Sequence, residues 1–510
     1  MSKIKIIILA VLLTSCGSGG RKQSEKLKKL VKAGDFNNAE TFVNSEKFFP
    51  EKESRLLKLV ELGTIQYLNR NYYQALKSFD KAKDLSDKLF TVSISKKAVS
   101  AVTNSNYDNY YGEKFERSMI RYYQALTHFA LSQNGEYEAH ELIKRDKDGK
   151  VVGKKVVPLK KLTAKEKRFH LSGAKNVLVE WNSLLDNYKA TTGGTVAYKD
   201  DLLAKVFGAF IHEQMGSKQE RRVALNLYKA AKKVLFRNFN ALETYNKKSK
   251  AFKKDFKKLP NMPLAKVKAN YVAETGHAKN LLKFLDQKIE SLKKGKRSNL
   301  FVMIENGFIT PKKVKKFDFP IPLTGIPNVG GFVGFAGTAL SMAAGAAPKI
   351  YFELPEIPYE AVKGTYILHV QKDGKTIKKQ SLAVVNPLAN LATMLMDENS
   401  TSMYAKVGAR VAGKHLTALL AAYATSKKMG NLAGSLAYGV ANKAIEASER
   451  ADLRNWSLLP HHYRLASLSL KPGTYDLVLE KVIGKTRTQT KLNTVTVKAK
   501  DVNMLAFRTY

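Results

Sequence analysis

Apolar positions recur with a helical period through most of the first half of the chain and alternate like strands near its end, with an uncharged stretch between the two regimes. The opening differs from both. After Lys3 and Lys5, residues 6–13 are unbroken apolar, a run shorter than the roughly 20 residues a bilayer-spanning helix needs, so it is expected to be a targeting segment. Further on, Leu59, Leu62-Gly63, Tyr67, Tyr72, Ala75, Phe79 and Ala82 place Leu-Gly on one predicted helix and Ala-x-x-x-Phe-x-x-Ala on the next. Gly63 and Ala75 are the small residues that let two antiparallel helices approach where they cross.

The pattern repeats. Gly34-Asp35-Phe36-Asn37-Asn38-Ala39 echoes Arg70-Asn71-Tyr72-Tyr73-Gln74-Ala75 at an offset of 36 residues, close to the period of tetratricopeptide units, which these residues resemble. A third unit is expected at Tyr123, Leu126, Ala130, Tyr137, Ala139 and Ile143, because Leu126 and Ala139 are separated as Leu62 and Ala75 are. A fourth runs through Phe207-Gly208, Ala224, Tyr228 and Ala231. Between these two, residues 145–158 suggest a β-excursion turning at Asp148-Gly149. The lysine-rich run 247–258 reads as a solvated linker, with a phosphate-binding strip as the alternative, and residues 267–294 read as a further helix.

Residues 300–304 form a strand candidate before the Asn306-Gly307 turn, and residues 319–348 carry no charge. Small residues four apart, Gly330 with Gly334 and then Gly337, Ser341 and Gly345, suit close helix approach or membrane contact; Pro320, Pro322 and Pro327 favour a buried loop and helix instead. Strand alternation returns at residues 349–353 and 364–370, with Asp373-Gly374 as a hairpin turn, and again from Gly473-Thr474-Tyr475 to residues 495–497. Residues 387–449, rich in alanine and leucine, interrupt this region as two or three helices. The expected fold is α+β: an N-terminal α-solenoid of TPR-like helix pairs, then a mixed C-terminal domain with an antiparallel, immunoglobulin-like β-sandwich and inserted Ala-rich helices. The expected divisions are a signal peptide at 1–15, helical repeats at 16–298, a strand and uncharged junction at 299–348, and the mixed domain at 349–510.

Leu13-Thr14-Ser15-Cys16, directly after the apolar run, resembles the lipobox of bacterial lipoproteins. The resemblance implies cleavage before Cys16 and a lipid on its thiol; the aspartate-free Gly17-Ser18 implies the outer membrane, with the protein facing the periplasm. Cys16 is the only cysteine, so no disulfide is expected in an oxidising compartment. Lys and Arg number 87 against 44 Asp and Glu, a net charge of +43 spread along the chain. Such a field favours anionic envelope polymers such as lipopolysaccharide, peptidoglycan or DNA, without marking a discrete nucleic-acid module.

Asp452, Arg454, Trp456 and Pro460 lie in Ala451-Asp452-Leu453-Arg454-Asn455-Trp456-Ser457-Leu458-Leu459-Pro460, where Asp452 and Arg454 are expected to form a structural ion pair over Trp456. With Tyr122-Tyr123-Gln124-Ala125 and Glu305-Asn306-Gly307, this decapeptide resembles an uncharacterised family of bacterial tetratricopeptide-repeat outer-membrane lipoproteins. That implies architecture and location and brings no activity. Catalytic patterns fail on inspection: the segment from Gly408 to His415 has His415 where a phosphate loop needs Ser or Thr, and His212-Glu213 is followed by Gly216 where a zinc helix needs histidine. His461-His462, as strand neighbours, are expected to point to opposite faces. No catalytic residue, metal or cofactor is therefore expected; the expectation is a non-enzymatic scaffold that binds an envelope protein partner through its repeats, with polyanion binding as the alternative.

Overall fold

A computed structural model describes residues 19–96, 108–145, 151–191, 200–242, 276–320, 349–498 and 503–510. The lipobox and Cys16, the 247–258 lysine run, the Asp148-Gly149 turn and most of the uncharged 319–348 stretch lie outside these residues. The chain is mixed α+β.

Among the described residues nine α-helices come first: α1 (Gly19–Lys32), α2 (Phe36–Asn44), α3 (Arg55–Leu68), α4 (Tyr72–Lys96), α5 (Lys114–Asn134), α6 (Ala164–Thr191), α7 (Leu202–Met215), α8 (Lys218–Leu242) and α9 (Gly276–Lys293). Each packs on the next. The turns α1–α2 and α3–α4 are copies. Gly34 N–H donates to the Val31 carbonyl and Asp35 N–H to Leu30 (both 3.0 Å); Arg70 donates to Tyr67 (3.0 Å) and Asn71 to Gln66 (2.8 Å). Both close a helix C-terminus with a left-handed residue, Gly34 at φ 76° and Arg70 at φ 64°. Ala39 and Ala75 then stand at equivalent buried positions. At Gly63 a methyl group would come within 2.9 Å of the Phe79 ring, so the α3–α4 crossing needs glycine; at Gly208 the nearest atom, on Leu227, would be 3.5 Å away. Leu62 is partly buried against a core that holds Ala75, Phe79, Ala82, Leu126 and Ala224.

The third expected unit is corrected. Leu126 lies on α5, but Gly135 (φ 73°) ends that helix, and Ala139 sits between strands β1 (Glu136–Tyr137) and β2 (His140–Arg145) rather than on a second helix. The strands β2 and β3 (Val151–Val157) pair with each other, while β1 pairs with β4 (Lys160–Lys161). The helix that packs on α5 is α6. Equal spacing misleads here because the residues after Gly135 find tertiary partners as strands: Tyr137 stacks on Tyr73 at 4.1 Å, and the Glu138 carboxylate accepts from Tyr73 N–H (3.0 Å) and Gln74 N–H (2.7 Å), capping α4.

Two four-stranded sheets follow. One is ordered β10 (Ala383–Asn386), β11 (His462–Leu468), β5 (Leu300–Asn306), β14 (Asn503–Thr509); the other is β13 (Thr486–Val497), β12 (Gly473–Ile483), β8 (Thr365–Lys372), β9 (Lys375–Ser381). The expectation of a purely antiparallel region fails at β14, which runs parallel to β5 after the chain crosses from one sheet to the other. The strand β5, expected in the junction, lies at the centre of its sheet. Its alternate residues Leu300, Val302 and Ile304 pack toward β8 and β12, while Phe301 and Met303 join the helical core. With both faces covered it is buried nearly throughout. The molecule thus stacks helices, sheet and sheet in three layers. The ribbon of β6 (Lys313–Pro320) and β7 (Lys349–Glu356) lies on α10 (Leu388–Met429), which returns as α11 (Asn431–Ser448).

Candidate functional site

The inner surface of the helical layer is filled by the chain itself. Trp456 is fully buried between Phe79 and Tyr123 (ring centroids 6.1 and 5.6 Å), and its indole N–H donates to Thr64 Oγ1 at 2.9 Å. Glu61 on α3 accepts from Ser457 N–H (2.6 Å), Ser457 Oγ (2.7 Å) and Leu458 N–H (3.2 Å). Burial nevertheless outweighs these three bonds and pushes the carboxyl up to about 7. Glu116 closes the capping box of α5 and accepts from Trp456 N–H at 2.7 Å. The Asp452–Arg454 pair is present (2.7 Å), and Arg454 also reaches the Asp108 carbonyl at 3.0 Å. Pro460 is buried at the end of this plug. The decapeptide therefore locks the sheets to the helices. Lys288 on α9 and Glu213 on α7, both buried, pair at 2.7 Å on the same seam.

Where the plug ends, a cleft of about 510 Å³ opens between helices and strands. Its helical wall is made by the two copied turns: Val31, Lys32, Gly34 and Phe36 from one, and Tyr67, Leu68, Arg70 and Tyr72 from the other. The opposite wall carries Leu479 and Lys481 of β12, Lys491 of β13 and Phe507 of β14. Among the described residues that line the cleft, Glu305 is the one acidic side chain, and it is buried against Arg508 at 3.3 Å. Its burial raises its pKa against the pull of Arg508, and burial, with the nearby Glu305 adding to it, holds the Tyr67 hydroxyl well above the usual phenol range. Lys491 is tied to Asp476 (2.9 Å) and Lys481 reaches the Tyr510 carbonyl (3.3 Å). Lys32 and Arg70 are exposed at the rim. A cleft with aromatic walls and a cationic rim suits an extended segment with apolar and acidic side chains.

Sequence reading found the two turns through their spacing but not the walls they share, because β12 to β14 are joined to them only in the fold. The histidine pair is a correction: His461 lies in the bend before β11, not on the strand, so its Nδ1 sits 2.9 Å from His462 Nδ1 instead of facing away. Burial and the neighbouring Arg464 hold His462 well below the usual range. Among the described residues, no three His, Cys, Asp or Glu side chains are grouped as metal ligands, and no helix is long and apolar enough to cross a membrane. No family model, curated protein or solved structure matches this chain.

Proposed function

We propose that the protein is a scaffold of the bacterial cell envelope, anchored to the outer membrane by lipid on Cys16 and facing the periplasm, that binds an envelope protein through its TPR-like units. Its helix pairs read as a short solenoid and its sheets as the sandwich of the lipoprotein family it resembles. The partner's segment enters at the ends of the first two units, not along their inner surface, which Trp456 occupies. The observation that carries this reading is that two equivalent turns, 36 residues apart in sequence, open on one cleft with aromatic walls and a cationic rim. Cells producing the wild type, Cys16→Ala and Arg70→Glu/Phe36→Ser are fractionated, and detergent-solubilised complexes are captured. Lipid label and membrane residence disappear with Cys16→Ala. A saturable partner is retained by the wild type and lost with the cleft variant; a partner held equally by both proteins removes the cleft from the reading.

A depression between α9 and the β9 edge favours a second reading, polyanion binding. It measures about 670 Å³ and is lined by Lys283, Lys294, Lys296, Lys378, Lys379 and several serines, with Glu290 the one acid among the described lining residues. Affinity for lipopolysaccharide that fell steeply with salt and with Lys378→Glu/Lys379→Glu would support it; salt-insensitive binding would exclude it.

A further inference from the structure

The helices α10 and α11 form an arm, and large apolar side chains stand exposed along its outer half. The register is set by His415 Nδ1, 2.9 Å from the Tyr438 hydroxyl, so Leu416 and Leu420 stand level with Leu436 and Leu432. The line of contact is drawn by Val411, His415, Leu419, Ala422 and Ser426 on α10 and by Gly434, Ser435, Tyr438, Asn442 and Ile445 on α11, all buried. At about 100° per residue, Leu416 and Leu420 turn roughly a quarter to a third of a revolution away from that line. Leu432 and Leu436 turn away from theirs in the same sense. Right-handed helices running antiparallel bring equal rotations to one side, so the four leucines share one face of the arm.

That face is exposed. Leu416, Leu420, Leu432, Leu436, Val440 and the tip residue Met429 range from 39% to 73% accessible, and they are six of the sixteen large hydrophobic side chains that stand exposed among the described residues. The β6–β7 ribbon does not cover them, because Phe352 and Leu354 pack with Val411 and Ile445 at the arm's base. Clustered exposed leucine of this kind marks a contact surface.

Charge selects what it contacts. From residue 399 to 445 there is no Asp or Glu, while Lys406, Arg410, Lys414, Lys427, Lys428 and Lys443 lie within the same span. Arg410 and Lys414 turn inward to Glu449 at the base (both 2.6 Å), and Lys443, level with Arg410, pairs with Glu446 at 3.4 Å; Lys427 and Lys428 are exposed at the outer end of the arm. A second copy of the chain would bring these cations face to face with no acid to answer them, against a net charge of +43 on each molecule. An anionic bilayer surface answers both features at once, taking the leucines into its interfacial region and the lysines at its headgroups.

We propose that the α10–α11 hairpin is a membrane-contact element that lays its leucine face on an anionic lipid surface. The inference rests on the arm alone and stands whether or not Cys16 carries a lipid. The chain from Gly17 onward, which lacks the apolar leader and the acylation site and keeps every described residue, is floated with vesicles of phosphatidylcholine containing phosphatidylglycerol. The partition coefficient drops at least about tenfold in Leu416→Ser/Leu420→Ser/Leu432→Ser/Leu436→Ser, and several-fold for the wild type when salt is raised to about 0.5 M or when phosphatidylglycerol is omitted. Val152→Ser/Val156→Ser, on an exposed strand elsewhere, leaves it unchanged. Brominated acyl chains quench a tryptophan placed by Leu436→Trp, which separates insertion from adsorption. Equal flotation of the quadruple variant overturns the proposal, as does a wild type that fails to float. So does leucine-dependent dimerisation in sedimentation without vesicle binding, or an acidic protein that needs the same leucines while lipid does not.

Discussion

The seam between helices and sheet and the outer arm of α10–α11 handle charge and apolar surface in opposite ways. At the seam, ionisable groups are buried and each has a named partner: Glu61 with Ser457 and Leu458, Glu213 with Lys288, Glu305 with Arg508. On the arm the charges are exposed and all of one sign, and leucines face outward. Buried ion pairs add little net stability but penalise any arrangement that separates the partners, so the seam specifies how the layers dock. The arm's outer leucines add no such specification, because they stand exposed to solvent.

The largest effect should come from emptying the seam. Trp456→Ala removes a fully buried indole lying between Phe79 and Tyr123 and leaves Thr64 without its donor. A loss of about 3–5 kcal/mol is expected in denaturant unfolding, and a loss below about 1 kcal/mol would show that helices and sheets do not unfold as one unit.

Lys288→Met tests the pair logic directly. It strands Glu213 in the seam and should cost about 3–5 kcal/mol, whereas Lys288→Met with Glu213→Leu should recover most of that stability, because removing both charges also removes the desolvation cost. A double variant as unstable as the single one would mean that Glu213 stabilises through its bonds to Ser298 N–H (2.7 Å) and the Tyr228 hydroxyl (3.3 Å) more than through Lys288.

Glu61 makes the seam responsive to pH. Its folded carboxyl is raised from 4.5 to about 7, so between those values the folded state holds a proton that the unfolded chain has released. Stability contributed by this group is present below the unfolded value and is lost as pH rises through the window, a change of order 3 kcal/mol in all. Glu61→Gln should flatten that part of the unfolding profile. His128 acts in the opposite sense, since burial lowers it from 6.5 to about 4 and its contribution is lost on acidification. A pH dependence between 5 and 7 that is the same in the wild type and in Glu61→Gln would remove Glu61 as a titrating group.

These groups show where sequence reading reaches its limit. The copied turns were legible because local hydrogen bonds at Gly34 and Arg70 need only local residues. The alanine- and leucine-rich composition of residues 387–449 predicts two or three helices, and two are found. The Asp452–Arg454 pair spans two positions and could be anticipated. Trp456, by contrast, meets Thr64 across 392 positions and Ser457 meets Glu61 across 396. Nothing in either segment announces that the helical layer's inner surface is already filled. Ala139 failed for a related reason: its spacing was helical, but Tyr73, Gln74 and His170, supplied by other elements, hold the preceding residues Tyr137 and Glu138 in a β-ribbon. The cleft lies between these cases, with one wall readable and the other assembled by the fold.

Smaller effects separate cleft from scaffold. Arg70 holds φ 64° where its counterpart is Gly34, and an L-residue in that region costs about 1 kcal/mol. Arg70→Gly should therefore raise stability slightly, by no more than about 1 kcal/mol after the entropic cost of glycine is counted, while weakening capture of a partner that uses the cationic rim. A variant that loses stability instead would show that the Arg70 side chain supports the fold, and its exposed place at the cleft would then say nothing about binding.

The smallest stability effect is expected where the surface is most unusual. Replacing Leu416, Leu420, Leu432 and Leu436 by serine alters side chains that already face water, while Leu419, Tyr438 and Ile445 keep the two helices together. Exposed substitutions of this kind fall within about 0.5 kcal/mol each, and serine's lower helix propensity sets the direction, slightly downward. If all four cost several kcal/mol together, the leucines would be covered in the folded chain and would form part of its core. A near-neutral result leaves them as apolar surface that the fold maintains without using, and the cations beside them at the arm's outer end then favour an anionic membrane as what meets that surface.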